Sequence, residues 1–209
     1  MPTATSFGLF LTAAIILAIT PGPGIFYVLT RSLKGGRSEG IASSFGTAIG
    51  GLVHVLAAAL GVSAILATSA LAFAAVKYIG AAYLIYLGIR TWLSKEEPDL
   101  DSPVETTNTR RAFYQGITTE VLNPKTALFF LAFIPQFINP QGMLFLQFFL
   151  LGSISVLLNT TADVVVALLA GPLGQRLRTS ARWRRRQRLA TGGALIGLGA
   201  FVAVTGKHE

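Results

Sequence analysis

The sequence predicts an all-α membrane protein, with six transmembrane helices arranged as a 3+3 inverted-topology repeat whose first and fourth helices are broken. Three observations carry this prediction. The 209 residues are 52% hydrophobic and only 12% charged, with a mean hydropathy of +0.62, whereas an average soluble chain carries about 25% charged residues. The apolar residues gather into six stretches long enough to cross a bilayer. Proline interrupts the first and the fourth of these stretches at matching places.

A hydrocarbon core about 30 Å thick needs roughly 20 apolar residues, because each helical residue rises about 1.5 Å. The stretches at about 7–30, 41–67, 70–93, 113–138, 143–170 and 189–206 meet that requirement, and residues 1–209 read as one integral membrane domain. Residues 1–6 hold no basic segment and the first stretch is too long for a signal h-region, so it is expected to be a retained span. The second stretch carries Ala42, Gly46, Gly50, His54 and Ala58 at four-residue spacing, a close-packing face centred on Gly46 and Gly50. Lys77, near the start of the third, is expected to snorkel to the outer interface beside Tyr78. Phe129, Phe130, Phe133 and Phe137 of the fourth read as packing or lipid-facing residues, with no role toward a ligand. The fifth carries a polar stripe, Asn159, Thr160 and Asp163, on one helix face. Gly192, Gly193, Gly197 and Gly199 of the sixth allow neighbouring backbones to approach closely. No stretch shows the ten-residue apolar–polar alternation of a membrane β-barrel.

The net charge of +8 is distributed by topology. Arg31, Lys34 and Arg37 follow the first stretch, and Arg90, Lys95, Arg110 and Arg111 flank the acidic linker at 94–111. Arg176, Arg178, Arg182, Arg184, Arg185, Arg186 and Arg188 form a loop before the sixth. On the opposite side only Lys207 is basic. The positive-inside rule therefore places these three loops in the cytoplasm and both termini outside. Topology accounts for the basic residues, so no nucleic-acid partner is expected; lipid headgroups are the secondary partner of the arginine run. With no cysteine and only His54 and His208, neither a disulfide nor a thiolate or transition-metal site is expected. There is no P-loop and no nucleophile–base constellation, so no cofactor and no enzymatic activity is expected.

The chemistry is expected at the breaks. Pro21-Gly22-Pro23-Gly24 interrupts the first stretch and Asn123-Pro124-Lys125 the fourth. Proline suits the first position of a new helix and Asn123 is a strong N-cap, so each break can begin a half-helix whose unpaired N–H groups attract a carboxylate. The alternative is a simple proline kink packed against its neighbours. Ionisable residues inside a bilayer are expensive and need a reason; these are Glu120 and Lys125 beside the second break, His54, and Asp163. Asp163 is either a structural partner of Lys125 or a carboxylate that titrates or binds an amine. His54 either bonds across a helix contact or handles protons.

Pro21-Gly22-Pro23, Gly35/Gly36-Arg37-x-x-Gly40, Gly46, Gly50 and His54, then Leu122-Asn123-Pro124-Lys125-x-x-Leu128-Phe129-Phe130 and Pro135-Gln136-Phe137, together resemble the LysE/RhtB family of amino-acid exporters over nearly the whole chain. The resemblance implies a bacterial inner-membrane efflux carrier, driven by proton motive force and dimeric, with an amino acid or close derivative as substrate. The matching positions carried over are Pro21, Gly22, Pro23, Gly46, Gly50, His54, Asn123, Pro124 and Lys125. In the mechanism this suggests, Lys125 and the two half-helix starts hold the carboxylate and Asp163 with Asn159 or Thr160 takes the amine. Asp163, Glu120 or His54 carries the coupling proton. The alternatives are a passive channel and an exporter of another small solute or ion.

Overall fold

Proline lacks a backbone donor and fits the first turn of a helix, and two prolines set where two helices begin. The computed structural model describes residues 4–94, 108–139 and 141–205. Helix α1 (Ala4–Ile19) stops before Pro21, and α2 (Pro23–Thr68) starts on Pro23 with Gly22 as its N-cap. Helix α3 (Ala70–Leu93) is opened by Ser69, whose hydroxyl accepts from the Ala72 N–H at 3.1 Å. Helix α4 (Thr109–Val121) is opened by Asn108, which accepts from the Arg111 N–H at 2.8 Å. Helix α5 (Pro124–Leu128) begins on Pro124 behind Asn123, then widens into a π turn at Phe129–Phe133 and tightens into a 3-10 turn at Ile134–Phe137. Its path bends 46° from α4. Helices α6 (Leu144–Leu168), α7 (Ala170–Thr179) and α8 (Ala181–Val204) complete the described residues.

The fold is all-helical and apolar on its outside. Helices α2, α3, α6 and α8 are each long and apolar enough to cross a membrane, and the bent pair α4–α5 makes a fifth if taken as one span. Helix α1 is apolar but has 16 residues. At 46 residues, α2 is about twice as long as a bilayer core requires. It is divided at Gly36, where φ is 80° and ψ 178°. Leu60, Leu71, Ile79 and Leu157 are each more than 60% exposed, the pattern of a surface solvated by hydrocarbon.

Inside, the second part of α2 is the central element, packed between α4 and α6. The Phe113 carbonyl lies where a side chain on Gly46 would stand, and a Cβ on Gly50 would lie 2.8 Å from the Ile117 carbonyl. Both positions advance together, so this part of α2 runs parallel to α4. Against α6 it runs antiparallel, with Gly51 on Val156 and Val55 on Gly152. Helices α3 and α8 form a second close pair, also antiparallel, with Gly88 against Gly192 and Gly199 against the Ala81 carbonyl. In a lipid solvent such contacts hold helices together by close packing, because apolar burial alone gives little advantage. Phe10, Phe133, Phe137 and Phe201 fill the remaining centre, with ring centroids 4.9–5.8 Å apart.

Several expectations are corrected. The connection expected at residues 31–37 is reduced to a kink at Gly36, with helix on either side of it. Arg31 is buried there, 3.8 Å from the Glu39 carboxylate, over the Tyr27 ring and donating to Gln115. The arginine run is largely helical, because arginine is a good helix former and Ser180 caps α8 ahead of it, accepting from the Trp183 N–H. Lys77 does stand beside Tyr78, its Nζ 5.0 Å from that ring's centre, and it is 4% exposed because the Nζ donates to the Thr205 carbonyl at the end of α8 at 2.6 Å. Most of the acidic linker, residues 95–107 with Lys95, lies outside the described residues, as do Lys207 and His208.

Candidate functional site

A helix end leaves four carbonyls without intrahelical partners and carries a partial negative charge. The break after α1 exposes such an end, and Lys125 meets it from α5. Its Nζ donates to the Thr20 carbonyl at 2.9 Å and the Leu17 carbonyl at 3.2 Å. The side chain lies along Gly22, where an added Cβ would stand 3.3 Å from its terminal atoms. Asn123 ties the second break together: its Oδ1 accepts from the Lys125 N–H at 3.1 Å and its Nδ2 donates to Glu120 Oε2 at 3.0 Å. The other Glu120 oxygen accepts from Thr126 Oγ1 at 2.6 Å. A Cβ on Gly24 would stand 2.7 Å from Glu120 Oε2, so this carboxylate is wedged between the starts of α2 and α5. The protein's own carboxylate thus sits beside the half-helix starts to which the sequence reading assigned a ligand's. His54 Nε2 donates to the Glu120 backbone carbonyl at 3.0 Å and the ring stacks on Phe130.

Asp163, 5% exposed on α6, faces Thr47 on α2 at 2.8 Å. The Thr47 hydroxyl is also 2.8 Å from the Ser44 carbonyl. A hydroxyl has one proton, so two arrangements exist. With Asp163 ionised, Thr47 divides its proton between two acceptors; with Asp163 protonated, Asp163 donates to Thr47 and Thr47 to Ser44. Asn159 and Thr160 donate within α6, to the Ser155 and Val156 carbonyls. No ion pair within 4 Å joins Asp163 to Lys125 among the described residues: the hydrogen bonds of each go to neutral partners.

Two cavities meet at this point. The larger, about 780 Å³, is bordered by both breaks, by Phe26 and Thr30 of α2, and by Arg90, Arg184, Arg185 and Arg188. The smaller, about 20 Å³, has room for a water molecule and is lined by Glu120, Thr47, Asp163, Asn159, Thr160 and Gly24, among others. Asn123 and Lys125 line both. Pro21, Gly22, Pro23 and Pro124 border only the larger cavity, and His54, Gly46 and Gly50 border neither. The residues that the sequence reading gathered into one site therefore fall into two compartments with Lys125 between them. Sequence reasoning missed Thr47 and Thr126, each one residue beyond a position it singled out, and took Arg90 for topology and Arg184, Arg185 and Arg188 for topology and lipid headgroup contact. Among the described residues no group of three or more His, Cys, Asp or Glu could hold a metal ion.

The family model described as LysE type translocator matches residues 15–206. The chain belongs to this family. Similar members include a protein named homoserine/homoserine lactone efflux protein from Salmonella typhimurium, 33% identical over 80% of this chain and 80% of its own length. Uncharacterized membrane proteins of Pseudomonas aeruginosa (32% identical, 96% and 94% covered) and Vibrio cholerae (30%, 93% and 94%) are also similar to this LysE type translocator. No solved structure matches it.

Proposed function

We propose that this translocator is a secondary exporter of amino acids or close derivatives in the bacterial inner membrane, working by alternating access and coupled to protons. One observation carries the reading: two proline-started helices converge on Lys125, which lies between a solute-sized cavity and a water-sized pocket lined by two carboxylates. The solute enters the large cavity and presents its carboxylate to Lys125 and the helix breaks. Passage requires Lys125 to leave the α1 carbonyls, which opens the small pocket and brings the amino group to Asp163, Asn159 and Thr160. The two hydrogen-bond arrangements of Thr47 let Asp163 exist with and without its proton, and Glu120 is the second candidate for coupling. The name of the Salmonella typhimurium relative supports export of an amino acid-like solute.

Six spans with both termini outside complete the reading. In that topology the second and fourth spans run the same way, the second and fifth oppositely, and the third and sixth oppositely. The parallel α2–α4 contact and the antiparallel α2–α6 and α3–α8 contacts support it. The large cavity then opens toward the cytoplasm, the side from which an exporter loads.

The test is a panel of labelled amino acids exported from loaded cells with and without the protein. Saturable efflux of at least one amino acid is expected, and a flat panel sinks the reading. Asp163→Asn is expected to insert normally and lose proton-coupled efflux; unchanged pH-dependent transport in proteoliposomes would remove Asp163 from the mechanism.

A further inference from the structure

The large cavity carries more positive charge than topology requires. Arg90 from α3 and Arg184, Arg185 and Arg188 from α8 border it, Lys125 closes its inner end, and no Asp or Glu is among its described lining residues. Arg188 is the most committed of these. One of its terminal nitrogens donates to the Ser94 carbonyl, which fixes the guanidinium in the wall. Its Nε is buried and has no hydrogen-bond partner among the described residues. A buried donor of a charged group without an acceptor is costly, and the residue that carries it borders the cavity. A recess lined by one sign of charge between low-dielectric walls concentrates ions of the opposite sign, by about 10- to 1,000-fold in association rate.

We propose that this cavity is a charge filter and that Arg188 is its specificity-determining residue: the solute admitted carries a carboxylate and is net neutral or acidic, and cationic amino acids are turned away. This rests on the export reading above and narrows its substrate class. A neutral zwitterion can orient its carboxylate toward Arg188 and Lys125 while its ammonium group trails toward the opening. An acidic amino acid gains a second attraction. A lysine or arginine solute brings a second cation into a recess whose described lining holds four arginines and Lys125 and no carboxylate.

The experiment uses the full-length protein in phosphatidylcholine vesicles, which carry no net-negative headgroup, with counterflow of labelled homoserine, glutamate and lysine. Homoserine or glutamate is expected to exchange with a kcat/KM about tenfold or more above that of lysine. Arg188→Gln is expected to raise KM for the carboxylate solutes several-fold and shrink that ratio, and Arg188→Lys to restore most of it. In the unmodified protein, where folding of a variant is not at issue, raising salt from about 0.05 to 0.5 M is expected to shrink the ratio, because the Debye length falls severalfold. Lysine exchanging as well as homoserine overturns the filter and leaves amino-acid export standing. An effect of Arg188→Gln seen only when anionic lipid is added assigns the arginine to headgroups and likewise overturns the filter. Exchange of none of the three, together with a flat efflux panel, overturns both readings.

Discussion

Glu120 shows how a buried carboxylate is tolerated without a cation in contact. Asn123 and Thr126 donate to its two oxygens, and the starts of α2 and α5 surround it. Charge-assisted hydrogen bonds are the stronger kind. Thr126→Val is therefore expected to lower stability by about 1.5–3 kcal/mol, read as reduced resistance to denaturant in detergent. Thr47 acts on the other carboxylate. Removing its hydroxyl with Thr47→Val is expected to displace the pH at which transport is half-maximal, whereas Thr47→Ser keeps the hydroxyl and leaves the profile in place. Asp163 and Lys125 stood out in the sequence because a charge inside an apolar stretch is conspicuous. Thr47 did not, since a threonine in a membrane helix commonly bonds its own backbone, and its partner lies 116 positions away. Arg31 misled for the opposite reason: it sat where a cytoplasmic loop was expected, and the chain instead stays helical on both sides of a single kink at Gly36, with Arg31 beside Glu39.

The helix starts were the most legible elements, because proline acts on its own backbone and needs no distant partner. Pro23 and Pro124 stand at the first turn of α2 and α5. Asn123 fixes the second start, and Asn123→Ala is expected to cost about 0.5–2 kcal/mol from the lost cap, with a further penalty from the stranded Glu120 oxygen. Small residues at four-residue spacing are an equally local signal. A Cβ on Gly50 would lie 2.7 Å from Glu120 Cβ as well as crowding Ile117. Gly50→Val is thus expected to separate α2 from α4 and cost about 1–3 kcal/mol or more, visible as a lower melting temperature in detergent. The helical state of the arginine run was less legible, because composition assigned those residues to a side of the membrane and left their backbone open.

For the molecule as a whole, the absence of cysteine makes topology directly measurable. Single cysteines at Arg185 and at Gly142 are expected to react with a membrane-impermeant maleimide from opposite faces, the first only in inverted vesicles and the second in intact cells. Labelling of both from one face would refute the orientation argued from the arginines. The sequence yields an expectation of orientation because the rule depends on totals of charge per loop. It could not supply the division of the site into two compartments, since that depends on where the Lys125 side chain comes to rest.

Helix α2 gives that division a mechanical side. Its first segment supplies Pro23, Phe26 and Thr30 to the wall of the large cavity, and its second carries Thr47 to Asp163. The two are joined through Gly36, whose φ of 80° is one that a side chain disfavours. In the proposed cycle, a displacement of the wall by an arriving solute is passed to the Asp163 pocket along one backbone with a single joint. Gly36→Ala stiffens that joint, and is expected to slow turnover more than it weakens solute binding: the loaded carrier forms but is slow to change face.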